Sequence, residues 1–162
     1  SPKTSSPTTA STTPDAAASP ADRLLNLGPI WDFDISAGNF NDHENWAVTG
    51  CWVSKGNRDI NWFVPLFNDP EFVALTVSRW KQKRPELERF IRSSIDIYAR
   101  RLREAQMRNF QRWPILGVPL SSHYAWQTWE EEVSFLRDFL TERLAWMDRA
   151  FATPASFVEM CK

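Results

Sequence analysis

The chain has 162 residues, 43% of them hydrophobic, with 9 Trp and 11 Phe, so it can bury one core and one folded domain is expected. A formal net charge of −1 excludes a partner recognised through bulk charge. No apolar run approaches the roughly 20 residues that a membrane span needs, and no basic-then-apolar start is present, so these residues contain neither a span nor a signal peptide.

Residues 1–21, SPKTSSPTTASTTPDAAASPA, are almost entirely Ser, Thr, Pro and Ala. They have nothing to bury against the entropy of ordering, and the composition predicts a disordered linker. A folded unit is expected over 22–152, with a tail over 153–162.

Carboxylates enter an apolar run in Gly28-Pro29-Ile30-Trp31-Asp32-Phe33-Asp34-Ile35-Ser36-Ala37-Gly38-Asn39. The Gly-Pro and Gly-Asn turn signals at its ends predict a short strand or hairpin emptying into a loop. Strand alternation puts Asp32 and Asp34 on one face, about 7 Å apart by strand rise. Burying an unpaired carboxylate is costly, so each should meet a cation, backbone donors or solvent. Two hard oxygen donors so spaced suit Mg²⁺; a capped turn with one exposed acid satisfies the same residues.

From Asn39 to Asn68 no helical or alternating period is visible, and a long loop is expected. Asp42, His43 and Glu44 are adjacent in sequence, which puts them on no common face of a regular element, so a solvated turn is expected there. Trp46, Trp52 and Trp62 could line a groove for a sugar or peptide, although Trp more often pins a loop to a core.

Three long helices come next. Asp69 as N-cap and Pro70 at the first helical position predict a helix to about Lys83, with Phe72, Val73, Thr76, Val77 and Trp80 facing the core. A second is expected from Pro85 to Arg112, its apolar stripe being Leu87, Ile91, Ile95, Tyr98, Leu102, Ala105 and Asn109. Pro114 stops it. Thr128 and Glu131 form a capping box for the third, which runs to about Phe151 with Trp129, Val133, Leu136, Leu140, Leu144 and Met147 inward.

Between Arg79 and Arg112 stand 11 Lys or Arg against four acids, whereas residues 128–148 hold six acids against two arginines. The acidic helix is therefore expected beside the basic one, and no nucleic-acid partner is expected. Cys51 and Cys161 show no metal or redox spacing, and the sequence leaves open whether they pair. His43 and His123 lack the partners of a nucleophilic hydrolase, and neither a G-x-G-x-x-G nor a Walker motif occurs.

The segment GPIWDFDISAGN resembles the metal-binding motif of the CotH-type (spore-coat protein H-like) kinases, which usually carry G-P-[IVL]-W-D-F-D-x-x-x-G-N. Further matches occur downstream in the family's order: Asn61-Trp62-Phe63, Asp69-Pro70-Glu71-Phe72, Arg79-Trp80, Ala105-Gln106, Arg112-Trp113-Pro114-Ile115-Leu116-Gly117 and Arg143-Leu144-Ala145-Trp146-Met147-Asp148. The resemblance covers about Leu24 to Phe151. It implies an α+β, mainly α fold like the C-terminal lobe of an atypical kinase, in which Asp32, with Asp34 beside it, holds Mg²⁺ against the phosphates of ATP. It also implies transfer of a phosphoryl group to surface or coat proteins. The nucleotide-lobe lysine and the catalytic-loop Asp of the family are not recognisable here: Lys3 lies in the linker, and Asp15 and Asp22 have no such surroundings. The expectation is thus a C-terminal part lacking the N-terminal kinase lobe, inactive by itself and located outside the cell or at its surface. The other reading is a non-catalytic bacterial surface module that binds a glycan or protein through the Trp-rich loop.

Overall fold

The computed structural model describes residues 29, 37–40, 46–51, 53, 63–120, 122 and 124–161. The chain divides into two units, residues 1–31 and 32–162; of the first only Pro29, which is exposed, is described, and every described helix belongs to the second. The order in that second unit is α1 (Phe63–Asn68), α2 (Pro70–Arg112), α3 (Trp129–Ala150) and α4 (Pro154–Cys161), with no strand among the described residues. The fold is mainly helical, as the patterning predicts. The strand expected around Asp32 and Asp34, and the linker over 1–21, lie outside the described residues.

The end of the expected long loop is in fact a helix. Phe63 and Phe67 fall four apart on α1 and their rings meet at 6.0 Å, while the Asn68 amide donates to the Val64 carbonyl at 3.0 Å. Pro65 is harmless there because the first turn has no intrahelical acceptor for its missing N–H. A single residue, Asp69, then turns the chain into α2. Its N–H donates to the Leu66 carbonyl, and its Oδ1 accepts from Glu71 N at 2.8 Å and Phe72 N at 3.3 Å.

The two helices expected on either side of Arg84 are one helix of 43 residues, about 65 Å long at 1.5 Å per residue. Pro85 lies inside it. The bond that Pro85 cannot donate would have gone to the carbonyl of Lys81, an exposed residue, so water can replace it. Side chains span the gap, with Lys83 on Glu86 at 2.7 Å and Arg84 on Glu88 at 3.0 Å. Val73, Val77, Trp80 and Ile91 are buried, as the stripe predicts. Leu87 of the expected stripe is exposed, and beyond Ile95 the stripe fails: Tyr98, Leu102, Ala105 and Asn109 are exposed, and the half-buried positions step instead through Ala99, Gln106 and Phe110. Steps of four and seven keep to the side that meets α3, where Phe110 packs at a tilt against Trp129 at 6.2 Å, while the steps of three at Tyr98 and Ala105 rotate away from it.

α3 begins as expected. Glu131 N donates to Thr128 Oγ1 at 3.2 Å and Thr128 N to Glu131 Oε2 at 2.9 Å, which completes the capping box. The tail is helical. Reciprocal bonds between Thr153 and Ser156 start α4, and Phe157 and Cys161 on it are 1% exposed. Phe157 sits edge-on between Phe67 at 4.9 Å and Phe151 at 5.0 Å, so α1, α3 and α4 close over Val73 and Val77 of α2. A second cluster, Trp80, Ile91 and Leu144, continues the α2–α3 seam.

Candidate functional site

Gly38, near the end of the acidic segment, is buried at φ +78°. A Cβ there would stand 2.8 Å from Phe139 Cδ2 and 3.0 Å from Phe135 Cζ, so only glycine lets the backbone lie against α3 at this point. Ala37, Gly38 and Asn39 thereby form one wall of a cleft of about 320 Å³, opposite Tyr124, Trp129, Phe135 and Leu136. Glu132 stands in the same wall of α3 and accepts from Trp126 N at 3.1 Å, which fixes the stretch of chain entering the helix.

Residues 46–51 pass along the other side of Phe135 and Phe139. Arg143 holds them: Nη1 donates to the Val48 carbonyl at 2.8 Å and Nη2 to the Gly50 carbonyl at 2.7 Å, with the guanidinium 4.6 Å above the Trp146 ring. Burial lowers the pKa of Arg143 from its ordinary value without discharging it. The next residue, Cys51, is disulfide-bonded to Cys161 of α4, with their Cα atoms 4.8 Å apart. The pairing that the sequence leaves open is thus made. Trp46 packs edge-on to Tyr124 at 6.3 Å, so the loop is anchored by an aromatic contact, a half-buried cation and a covalent bond.

Asp32 and Asp34, the predicted metal ligands, lie outside the described residues, as do Asp42, His43, Glu44, Trp52, Trp62 and His123. Among the described residues no three His, Cys, Asp or Glu side chains gather in a way that could hold a metal. The donor chemistry of Asp32 and Asp34 nevertheless fits Mg²⁺, which takes one or two carboxylates and completes its shell with water and phosphate oxygens. The sequence pattern assigns no role to Tyr124, Phe135, Phe139 or Arg143. The available signal is the i, i+4, i+8 run Phe135, Phe139, Arg143, a second edge of α3 beside the stripe that faces α2.

The resembling segments have visible structural duties. Trp80 Nε1 and Arg84 Nε both donate to Asp148, at 3.1 and 2.9 Å, and Arg112 lies 5.1 Å over the Trp113 ring. A family model described as CotH kinase protein matches residues 18–147. Neither a curated protein nor a solved structure matches the chain.

Proposed function

The chain belongs to the CotH kinase protein family, and on that premise we propose that it is the C-terminal, metal-holding part of a centre that transfers phosphate from ATP to surface or coat proteins. The observation that carries this reading is the segment Gly28–Asn39, whose described end is pinned on Phe135 and Phe139 of α3 through Gly38. Asp32 would be the principal Mg²⁺ ligand and Asp34 its neighbour. When bound, the ion supplies positive charge against nucleotide phosphates. The contribution of the rest of the chain is positional. Gly38 sets where the segment leaves α3, a largely apolar cleft lies beside Asn39, and Arg143 with the Cys51–Cys161 bond holds the next loop.

Phosphoryl transfer also requires a cation on the nucleotide and a group that orients the acceptor hydroxyl. In this sequence no lysine in a nucleotide-lobe setting and no catalytic-loop Asp precedes Gly28, so both are assigned to a separate stretch of polypeptide and residues 1–162 alone transfer no phosphate. The disulfide supports an oxidising location outside the cell or at its surface. No described helix is long and apolar enough to cross a membrane. Incubation of residues 1–162 with Mg²⁺, γ-labelled ATP and a Ser-rich acceptor protein should leave label at background; robust labelling would refute the division of labour and direct attention to Asp42, His43 and Glu44.

A further inference from the structure

We propose that the C-terminal end of α2 and the turn after it dock on an anionic lipid bilayer, with the turn entering the headgroup region. The turn, residues 113–120, carries apolar side chains outward: Trp113 is 55% exposed and Leu120 67%, with Ile115 and Val118 exposed between them. Ile115, Val118 and Leu120 border one open hollow of about 410 Å³ with Phe110, so they form a patch rather than scattered single residues. Tyr98 and Leu102, also exposed, stand at helical steps that lead along α2 toward Trp113.

Charge and backbone both favour lipid as the occupant. Residues 97–120 hold five arginines, Arg100, Arg101, Arg103, Arg108 and Arg112, against one acid, Glu104, although the whole chain carries −1. Arg101, Arg108 and Arg112 stand seven and four apart, which puts them on one side of α2, and all three are exposed. The Arg112 guanidinium lies 5.1 Å over the Trp113 ring, so the cationic row ends beside the apolar turn. Arg101 and Arg112 form no ion pair among the described residues, and the Arg108–Glu104 contact at 3.7 Å is open to solvent. Glu132, the acid bordering the hollow, is half-buried on α3 and accepts from Trp126 N. The backbone of the turn is paired within the chain. Trp113 N donates to the Asn109 carbonyl at 2.8 Å, Ile115 N to that of Trp113 at 2.9 Å, Gly117 N to that of Trp126 at 2.8 Å and Val118 N to that of Ile115 at 3.1 Å. Pro114 and Pro119 have no N–H, so over 113–119 only Leu116 keeps one without an acceptor among the described residues. Such a turn enters an apolar phase with few bare donors, whereas it offers little free backbone for a peptide strand to pair with. A tryptophan at the interface and arginines on anionic phosphates are how basic amphipathic surfaces hold to lipid. A second copy of the chain would instead set these arginines against their own kind. Asp32 and Asp34 play no part, so the proposal stands or falls separately from the phosphotransfer reading.

The test is co-sedimentation of the full chain, without reductant, with vesicles of phosphatidylcholine alone and with vesicles containing about one-third phosphatidylglycerol. The chain should pellet with the anionic vesicles and bind the neutral ones roughly tenfold more weakly or not at all. Arg108→Gln with Arg112→Gln should weaken anionic binding by roughly tenfold or more, and Trp113→Ala with Leu120→Ala should do the same through lost insertion. All four side chains are exposed, and a thermal melt checks that the fold is kept. Lipid with brominated acyl chains should quench tryptophan emission of the native chain and quench that of Trp113→Phe distinctly less. Absence of vesicle binding, equal binding to neutral vesicles, unchanged binding in either double variant, or equal quenching of Trp113→Phe would each overturn the proposal. So would binding to soluble poly-glutamate as tight as to the anionic vesicles, which would mark an acidic protein as the occupant.

Discussion

Arg84 holds Asp148 across 64 residues of sequence, its Nε 2.9 Å from each carboxylate oxygen, and the same Asp148 takes the indole N–H of Trp80 at 3.1 Å. This contact joins α2 to acidic α3, as does the pairing of Arg137 on α3 with Asp96 on α2. Its partners differ in environment: the Arg84 side chain is 22% exposed, Asp148 41%, and Trp80 is buried. The ion pair itself is partly screened, so the larger effect of removing Asp148 is the buried indole N–H left without an acceptor. Asp148→Ala should destabilise by about 1–3 kcal/mol, and Asp148→Asn by less because an amide oxygen can still accept from Trp80. Urea unfolding of the two variants measures this, and equal losses would show that charge rather than the indole bond matters.

Gly38 makes a sharper steric prediction. In Gly38→Ala the methyl would enter the space of Phe135 and Phe139 at a positive φ, so about 1–3 kcal/mol of stability should be lost. Adding Phe139→Leu should restore part of it by making room, which a double-mutant cycle reads directly. Additive losses would mean that the φ alone, not the close approach to α3, demands glycine.

The Cys51–Cys161 bond closes a loop with a sequence separation of 110, and its removal should cost about 2–5 kcal/mol. Melting with and without reductant should show a large drop for the native chain and none for a Cys51→Ala, Cys161→Ala double variant. An unchanged melt of the native chain under reductant would mean that residues 46–51 are held without the disulfide.

Glu88 on α2 should make a contribution to stability that depends on pH. Hydrogen bonds from Arg92 and then Arg84 hold the Glu88 carboxyl below its ordinary 4.5. A group whose folded pKa is depressed stabilises the fold above its unfolded value and loses that contribution as pH falls through the folded one. The difference in stability between the native chain and Glu88→Gln should therefore be constant at neutral pH and shrink below about pH 4.5. A difference that grows on acidification would reverse the sign of this assignment.

The helices were legible where a local rule is strong. Asp69-Pro70 and Thr128 with Glu131 mark helix starts through bonds made within four residues, and Pro114 marks an end. Pro85 misled because a proline forfeits one hydrogen bond, which exposed backbone can replace from water, and because one of the ion pairs beside it, Arg84 with Asp148, joins residues far apart in the sequence. Tyr98 and Leu102 misled because a periodic stripe shows which side of a helix is apolar, not where along its length the neighbouring helix departs. At the candidate site, the assignment of Asp32 and Asp34 rests on the sequence alone, because both lie outside the described residues. The cleft walls do not, since Gly38 meets Phe139 about a hundred residues away, and residues 48–51 are held by Arg143 and a disulfide from as far along the chain.

The most direct measurement of the central claim is calorimetric titration of the chain with ATP in the presence and absence of Mg²⁺, alongside Asp32→Ala and Asp34→Ala. Any nucleotide binding should require Mg²⁺, vanish in Asp32→Ala and be only weakened in Asp34→Ala. Binding that is independent of Mg²⁺, or that survives Asp32→Ala unchanged, would contradict the assignment of Asp32 as the metal ligand.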